Sequence, residues 1–172
     1  GFGTLSAAVA AANAGETITL LADVTEGDGI IINKSMTIDF NGHTYTVTKN
    51  LAGSPGSESQ CFQILKQAGD VTLKNGEING NNSNIYMIIQ NYANLTLTDM
   101  ILDANKGCKN DIYPVLSNNS GKTLINGSTC IYASTNAASY IAFDACWAPN
   151  EGFPEGAQVT LDLDEDGEIV GD

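Results

Sequence analysis

The stretch VTLKNGEING, residues 71–80, returns in altered form as LTLTDMILDA at residues 95–104. Both phrases alternate apolar and polar positions and break at Asn, Gly or Asp, the pattern of short strands closed by tight turns. Their surroundings repeat as well. GIIINKSMTIDFNGHTYTV, CFQILKQAGDVTLKNGEIN, IYMIIQNYANLTLTDMILDA and YPVLSNNSGKTLINGSTCIYA each carry an apolar strand, a polar corner, a second strand, a turn and a third strand. Leu73 and Leu97 lie 24 residues apart, and Leu97 and Leu124 lie 27 apart. The longer steps hold insertions, KNLAGSPGSESQ at 49–60 and WAPNEGFPEG at 147–156.

A period of about 20–30 residues with three short strands in each is the mark of a β-solenoid. No repeat can bury its inner face alone, so each copy must pair in parallel with the copy beside it. At about 4.8 Å per layer, some five layers make a prism on the order of 25 Å tall. Corner asparagines suit the left-handed backbone that corners demand, and Asn75, Asn91, Asn118 and Asn126 are candidates for stacking along the axis. TLSAAVAAAN, residues 4–13, places Leu5, Ala8, Val9 and Ala12 on one helical face, with Gly15 positioned to cap its C-terminus. Such a helix would cover the open edge of the first layer. The expected architecture is all-β: one domain over residues 1–172, with a capping helix in 1–15, stacked layers over 16–146, and an insertion and terminal strands over 147–172.

Seven lysines, no arginine and twenty carboxylates give a net charge of −13. That balance argues against nucleic acid, whose phosphates need clustered cations. No apolar run approaches the roughly 20 residues of a membrane-spanning helix, so no membrane insertion is expected. No basic start followed by an apolar stretch and a cleavage site opens the chain.

The segment TLSAAVAAANAGETITLLADVTEGDGIIINKSMTIDFNGHTYTV resembles the N-terminal cap and first turns of the pectate-lyase-like, right-handed parallel β-helix superfamily, and most of all the β-helical modules of large bacterial surface proteins. The likeness covers residues 4–48 and continues as looser periodicity to about residue 133. It implies a right-handed parallel β-helix and, for the surface modules, an extracellular or cell-surface location. It does not imply one activity, because the superfamily holds lyases, hydrolases, phage tailspikes and adhesins alike.

Lyases of that superfamily use an arginine or lysine base beside calcium-holding acids. This chain has no arginine, and Lys34, Lys66, Lys74 and Lys122 fall at corners or on outward strand positions, where solvated lysines are ordinary. His43 lies in an NGHT turn. Asp39, Asp99 and Asp103 offer carboxylates, and stacking would bring Asp99 near Lys74 or Asp103; a glycosidase needs such a pair about 5–10 Å apart. No catalytic residue is assigned on these grounds. In DLDEDGEIVGD, residues 162–172, Asp162, Asp164, Asp166 and Glu168 match alternate ligand positions of a calcium loop, but the loop's closing acid would fall past residue 172. The preferred reading of the same residues is a last strand pair joined by an Asp-Gly turn, with no cofactor required. Trp147, Phe153, Tyr92, Tyr113 and Tyr132 are the aromatic candidates for stacking on a sugar ring. Cys108 and Cys130 lie nearly one repeat apart and can form a disulfide between layers; buried free thiols are the equal alternative.

The expectation from sequence is therefore a non-enzymatic surface or adhesin-like module that binds glycan or protein or acts as a rigid spacer. A phage or particle fibre, which would assemble as a homo-oligomer, and a small polysaccharide lyase or hydrolase are the alternatives.

Overall fold

A computed structural model describes residues 1–106, 114–135, 140–146 and 157–172, apart from the side chain of Cys146. The described chain is mostly β-strand with one short helix. In order, the elements are α1 (Leu5–Ala11), β1 (Thr17–Thr19), β2 (Val24–Asp28), β3 (Ile30–Ile32), β4 (Met36–Asp39), β5 (Thr44–Lys49), β6 (Gln60–Ile64), a 3-10 turn (Lys66–Ala68), β7 (Asp70–Gly80), β8 (Met87–Asn91), β9 (Asn94–Asp103), β10 (Leu116–Asn119), β11 (Lys122–Gly127), β12 (Cys130–Tyr132), β13 (Phe143–Cys146), β14 (Gln158–Leu163) and β15 (Glu168–Val170).

Among these strands every pairing is parallel. One sheet runs β1-β4-β7-β9-β11-β14, with β5 joined to β7 and β2 to β5, and with β12 joined to β9 and β15 to β12. The other runs β3-β6-β8-β10-β13. The repeated phrase explains this order. Val71 pairs with Leu95, Leu73 with Leu97 and Ile78 with Leu102, so the two copies lie side by side with their apolar positions in register. A slip of one residue would turn every inward side chain outward.

The register gives three apolar columns. Ile18, Ile38, Leu73, Leu97, Ile125 and Leu161 form the first. Tyr45, Ile78, Leu102, Ile131 and Ile169 form the second, and Ile30, Phe62, Ile89, Leu116 and Phe143 the third. Phe40, Tyr45 and Phe62 meet edge-on or tilted between the columns. One correction to the sequence reading follows: Leu97 pairs with Ile125, not Leu124. Leu124 instead joins an outward column with Thr17, Thr37, Thr72, Thr96 and Thr160.

The ends differ. At the first, α1 lies against β2 and β3 and buries Leu5, Ala8 and Val9. Thr4 caps it by accepting from the Ala7 N–H at 3.1 Å. The helix stops at Ala12, earlier than Gly15 would predict; Gly15 is left-handed but donates to Ser35 O instead. The C-terminal carbonyls are met by Lys34, whose ammonium donates to Ala10 O and Ala12 O, so this lysine caps the helix rather than floating in solvent. At the other end the inward column surfaces: Ile38, Leu73, Leu97 and Ile125 are fully buried, whereas Leu161 is 48 % exposed on the last strand of the sheet.

Polar columns stack as well. Asn91 and Asn118 are fully buried and joined at 3.1 Å. Asn118 also donates to Gly121 O and Gln158 O and accepts from Thr123 Oγ1, so it laces three successive strands of the corner together. Asn75 and Asn126 belong to another corner, where Asn75, Asp99 and Gly127 all take positive φ. The Asp99 carboxylate sits where a Cβ on Gly127 would be and accepts from the Ser128 N–H at 2.8 Å. Asp99 is thus a corner ligand for backbone.

No described helix is long and apolar enough to cross a membrane.

Candidate functional site

Two polar surfaces gather side chains that are far apart in sequence. The first is a groove of about 420 Å³ lined by Asn50, Leu51, Glu58, Asn82 and Asn84, within the range of small-ligand sites. It forms where β5 and β7 end. Asn50 takes a left-handed backbone, and the inserted loop returns through the Ala52–Gln60 bridge, bringing Glu58 back beside the strand ends. On the opposite wall, Asn82 donates from Nδ2 to Thr48 O at 3.0 Å and accepts from the Asn84 N–H at 2.9 Å. Ile85, fully buried, anchors that wall in the core. Glu58 accepts from the Gly56 N–H at 3.0 Å. Its own N–H and that of Gly56 hold its carboxyl below the ordinary range, so it is an anion at neutral pH.

The second surface lies on the outward face of β5, β7 and β9. Thr46 pairs with Asn79 and Asn79 with Asp103 in register. Glu77 Oε2 accepts from Asn79 Nδ2 at 2.5 Å and from Lys106 Nζ at 3.0 Å, and Asp103 Oδ2 lies 3.8 Å from the same ammonium. Two carboxylates reaching one nitrogen lie within about 7 Å of each other, a separation that glycosidases use. The space between them, however, is taken by a cation. The Glu77 hydrogen bond, then its charge and that of Asp103, raise Lys106 above the usual lysine value against the opposing effect of burial. A lysine held protonated is a poor base for elimination. The arrangement works as an ion-pair clamp across β7 and β9.

The sequence candidates fall elsewhere. Tyr92 follows β8 on the second sheet, its hydroxyl 3.4 Å from Asn119 Nδ2. Tyr132 is in β12 of the first sheet and donates to Glu168 Oε2 at 3.3 Å; Cys130 first, then burial and the Glu168 charge, push its hydroxyl up to about 12. Tyr92 thus lies in the bend between β8 and β9, and Tyr132 within a strand of the first sheet. Tyr113, Trp147 and Phe153 lie outside the described residues, as does Cys108. Cys130 is a free thiol 3.4 Å from Asp166 O, and Cys61 is buried 3.8 Å from Asn79 O.

Of the four calcium-ligand candidates, Asp164 and Glu168 carry side-chain hydrogen bonds within the chain. Asp164 Oδ1 accepts from the Asp166 and Gly167 N–H groups, and its Oδ2 accepts from Ser128 Oγ at 2.7 Å. Asp162 is exposed on β14 opposite Asn126, and Glu168 Oε2 meets Tyr132. Asp164 and Asp166 lie in the turn that joins β14 to β15, two strands that pair with β11 and β12 respectively and not with each other. Among the described residues no group of three or more His, Cys, Asp or Glu side chains is placed to hold a metal ion. His43 Nδ1 sits 3.1 Å from Asp23 Oδ1, which also accepts from the Thr44 N–H, so the histidine fixes a turn.

Compared with known protein families, curated proteins and solved structures, the chain matches none.

Sequence reasoning marked the 49–60 insertion but not its partners. Asn82 and Asn84 sit in a plain NNSN turn, and only the pairing of β5 with β7 brings them opposite Glu58. Lys106 was legible only as one lysine after a strand; its clamp depends on the register of β7 against β9.

Proposed function

We propose that this chain is a right-handed parallel β-helix of the pectate-lyase-like kind, acting as a non-enzymatic, extracellular or cell-surface module that binds glycans. The observation that carries the binding role is the groove of Asn50, Leu51, Glu58, Asn82 and Asn84, an amide- and carboxylate-lined concavity seated on closely stacked strands. Amides and carboxylates converging beside a small apolar surface suit sugar hydroxyls and ring faces. Two parallel sheets with a repeated register support the helical form, and the charge of −13 is in keeping with a soluble surface.

A second reading, a small polysaccharide lyase or hydrolase, is favoured by the approach of Glu77 and Asp103. It is weakened by Lys106 between them. The two readings separate on a glycan array run with and without calcium, with release of unsaturated or reducing ends assayed on the same protein. Binding without turnover is expected. Product release that is lost in Glu77→Gln would overturn the non-enzymatic reading.

A further inference from the structure

The groove has an unequal stock of hydrogen-bonding groups. Asn82 uses one of its two Nδ2 N–H groups on Thr48 O, and its Oδ1 accepts from the Asn84 N–H. Asn50 uses one of its two Nδ2 N–H groups on Asp28 Oδ1 at 2.8 Å, and Glu58 accepts from the Gly56 N–H. Among the described residues, Asn50 Oδ1 and the Asn84 side-chain amide carry no hydrogen bond, and the Glu58 carboxylate, with about four lone-pair sites, is met only by its own N–H and that of Gly56. Acceptors therefore outnumber donors, and one acceptor is a full anion. Leu51, half-buried beside them, supplies an apolar surface.

Such a lining asks for a ligand that donates. Hydroxyls of an uncharged sugar meet it, and so does the ammonium of an amino sugar. A uronic acid brings a carboxylate, which would find Glu58 as a like charge and no cation among the lining residues, only neutral amide N–H groups. The strongly negative chain opposes a polyuronate further, though that long-range part is screened by salt while a contact inside the groove is screened less.

We propose that the groove selects neutral and amino sugars and rejects uronic acids, with Glu58 as the residue that discriminates. This rests on the glycan-binding reading above and adds the class of sugar to it.

The test uses the full chain and three tetrasaccharides of similar length: a neutral hexose oligomer, a glucosamine oligomer and an oligogalacturonate. Binding is followed by calorimetry and by ligand-observed NMR at low and high salt. The neutral and glucosamine probes are expected to bind at least about tenfold more tightly than the galacturonate, corresponding to about 1.4 kcal/mol. Glu58→Gln, at an exposed position, should weaken the glucosamine probe about tenfold and narrow the gap to the galacturonate. Asn84→Ala should weaken the neutral probe, and unchanged unfolding curves check that both variants fold. If galacturonate binds as well as the others, the selectivity is wrong while glycan binding stands. If high salt alone abolishes the discrimination and Glu58→Gln does nothing, net charge and not the groove rejects uronates, and the proposal fails. If none of the three probes binds, the glycan-binding reading falls and takes the selectivity with it.

Discussion

Asn118→Ala should be among the most damaging single substitutions in this chain, although it removes no apolar surface. The side chain is fully buried and makes four hydrogen bonds: to Gly121 O and Gln158 O, both at 2.9 Å, and from Asn91 Nδ2 at 3.1 Å and Thr123 Oγ1 at 2.9 Å. The partners are not all orphaned. Gly121 O still receives the Gln158 N–H, and Asn91 Nδ2 still reaches Ala93 O and Lys122 O. The full penalty for unsatisfied buried groups therefore does not apply four times. Four lost bonds at about 0.8–1 kcal/mol each give about 3–4 kcal/mol. That is a large fraction of the 5–15 kcal/mol by which domains are stable, and it corresponds to a fall in melting temperature of roughly 6–16 °C at this chain length. Equilibrium unfolding in urea, read by far-UV circular dichroism, measures it as a shift in midpoint at constant slope. A double-mutant cycle with Asn91→Ala should show coupling, because the two amides share Thr123 and each other. A loss below about 1 kcal/mol with no coupling would refute the view that this buried asparagine pair laces the parallel strands together.

Two further outcomes are expected. Leu97→Ala should cost about 2–5 kcal/mol, as for other fully buried leucines, whereas Leu161→Ala, in the same column but 48 % exposed, should cost less than half as much; equal losses would mean that the last strand is covered in solution. The pH profile of stability should carry two contributions of opposite sign. Asp164 is held below its ordinary 3.8 by Ser128 first and then by the Asp166 N–H, so its contribution is present above that value and is lost as pH falls through the lower, folded one. Asp144 is pushed up by burial, against the Asn118 N–H and Ser117 hydroxyl, so it favours the fold when protonated and loses that contribution as pH rises from 3.8 through its folded value. Melting temperature against pH should therefore lose part of its acid-side fall in Asp164→Asn and part of its opposite trend in Asp144→Asn; variants whose profiles run parallel to wild type would sink both assignments.

Much of the strand pattern was written along the chain. Alternation of period two decides which residues of VTLKNGEING face inward, and recurrence of the phrase decides which copy it lies beside, because both follow from local side-chain direction and spacing. The opening helix was legible for the same reason: Leu5, Ala8 and Val9 fall on one face whatever they pack against. Where the sequence erred, a neighbour in space decided. Leu124 and Ile125 are both apolar and adjacent, and only pairing with β9 turns Ile125 inward. Gly15 looked like a helix cap, but Ser35 draws its N–H away while Lys34 takes the helix carbonyls.

By itself, then, the sequence determined a strand-rich chain of stacked parallel copies with a helical first end, since periodicity and turn residues act over a few positions. Tertiary structure alone decided the chemistry of the surface. Glu58 comes to share a groove with Asn82 and Asn84, and Lys106 comes to meet Glu77, only after the strands lie in register. Contacts between residues more than twenty positions apart depend on that register and on where each insertion returns, and no short-range pattern encodes either.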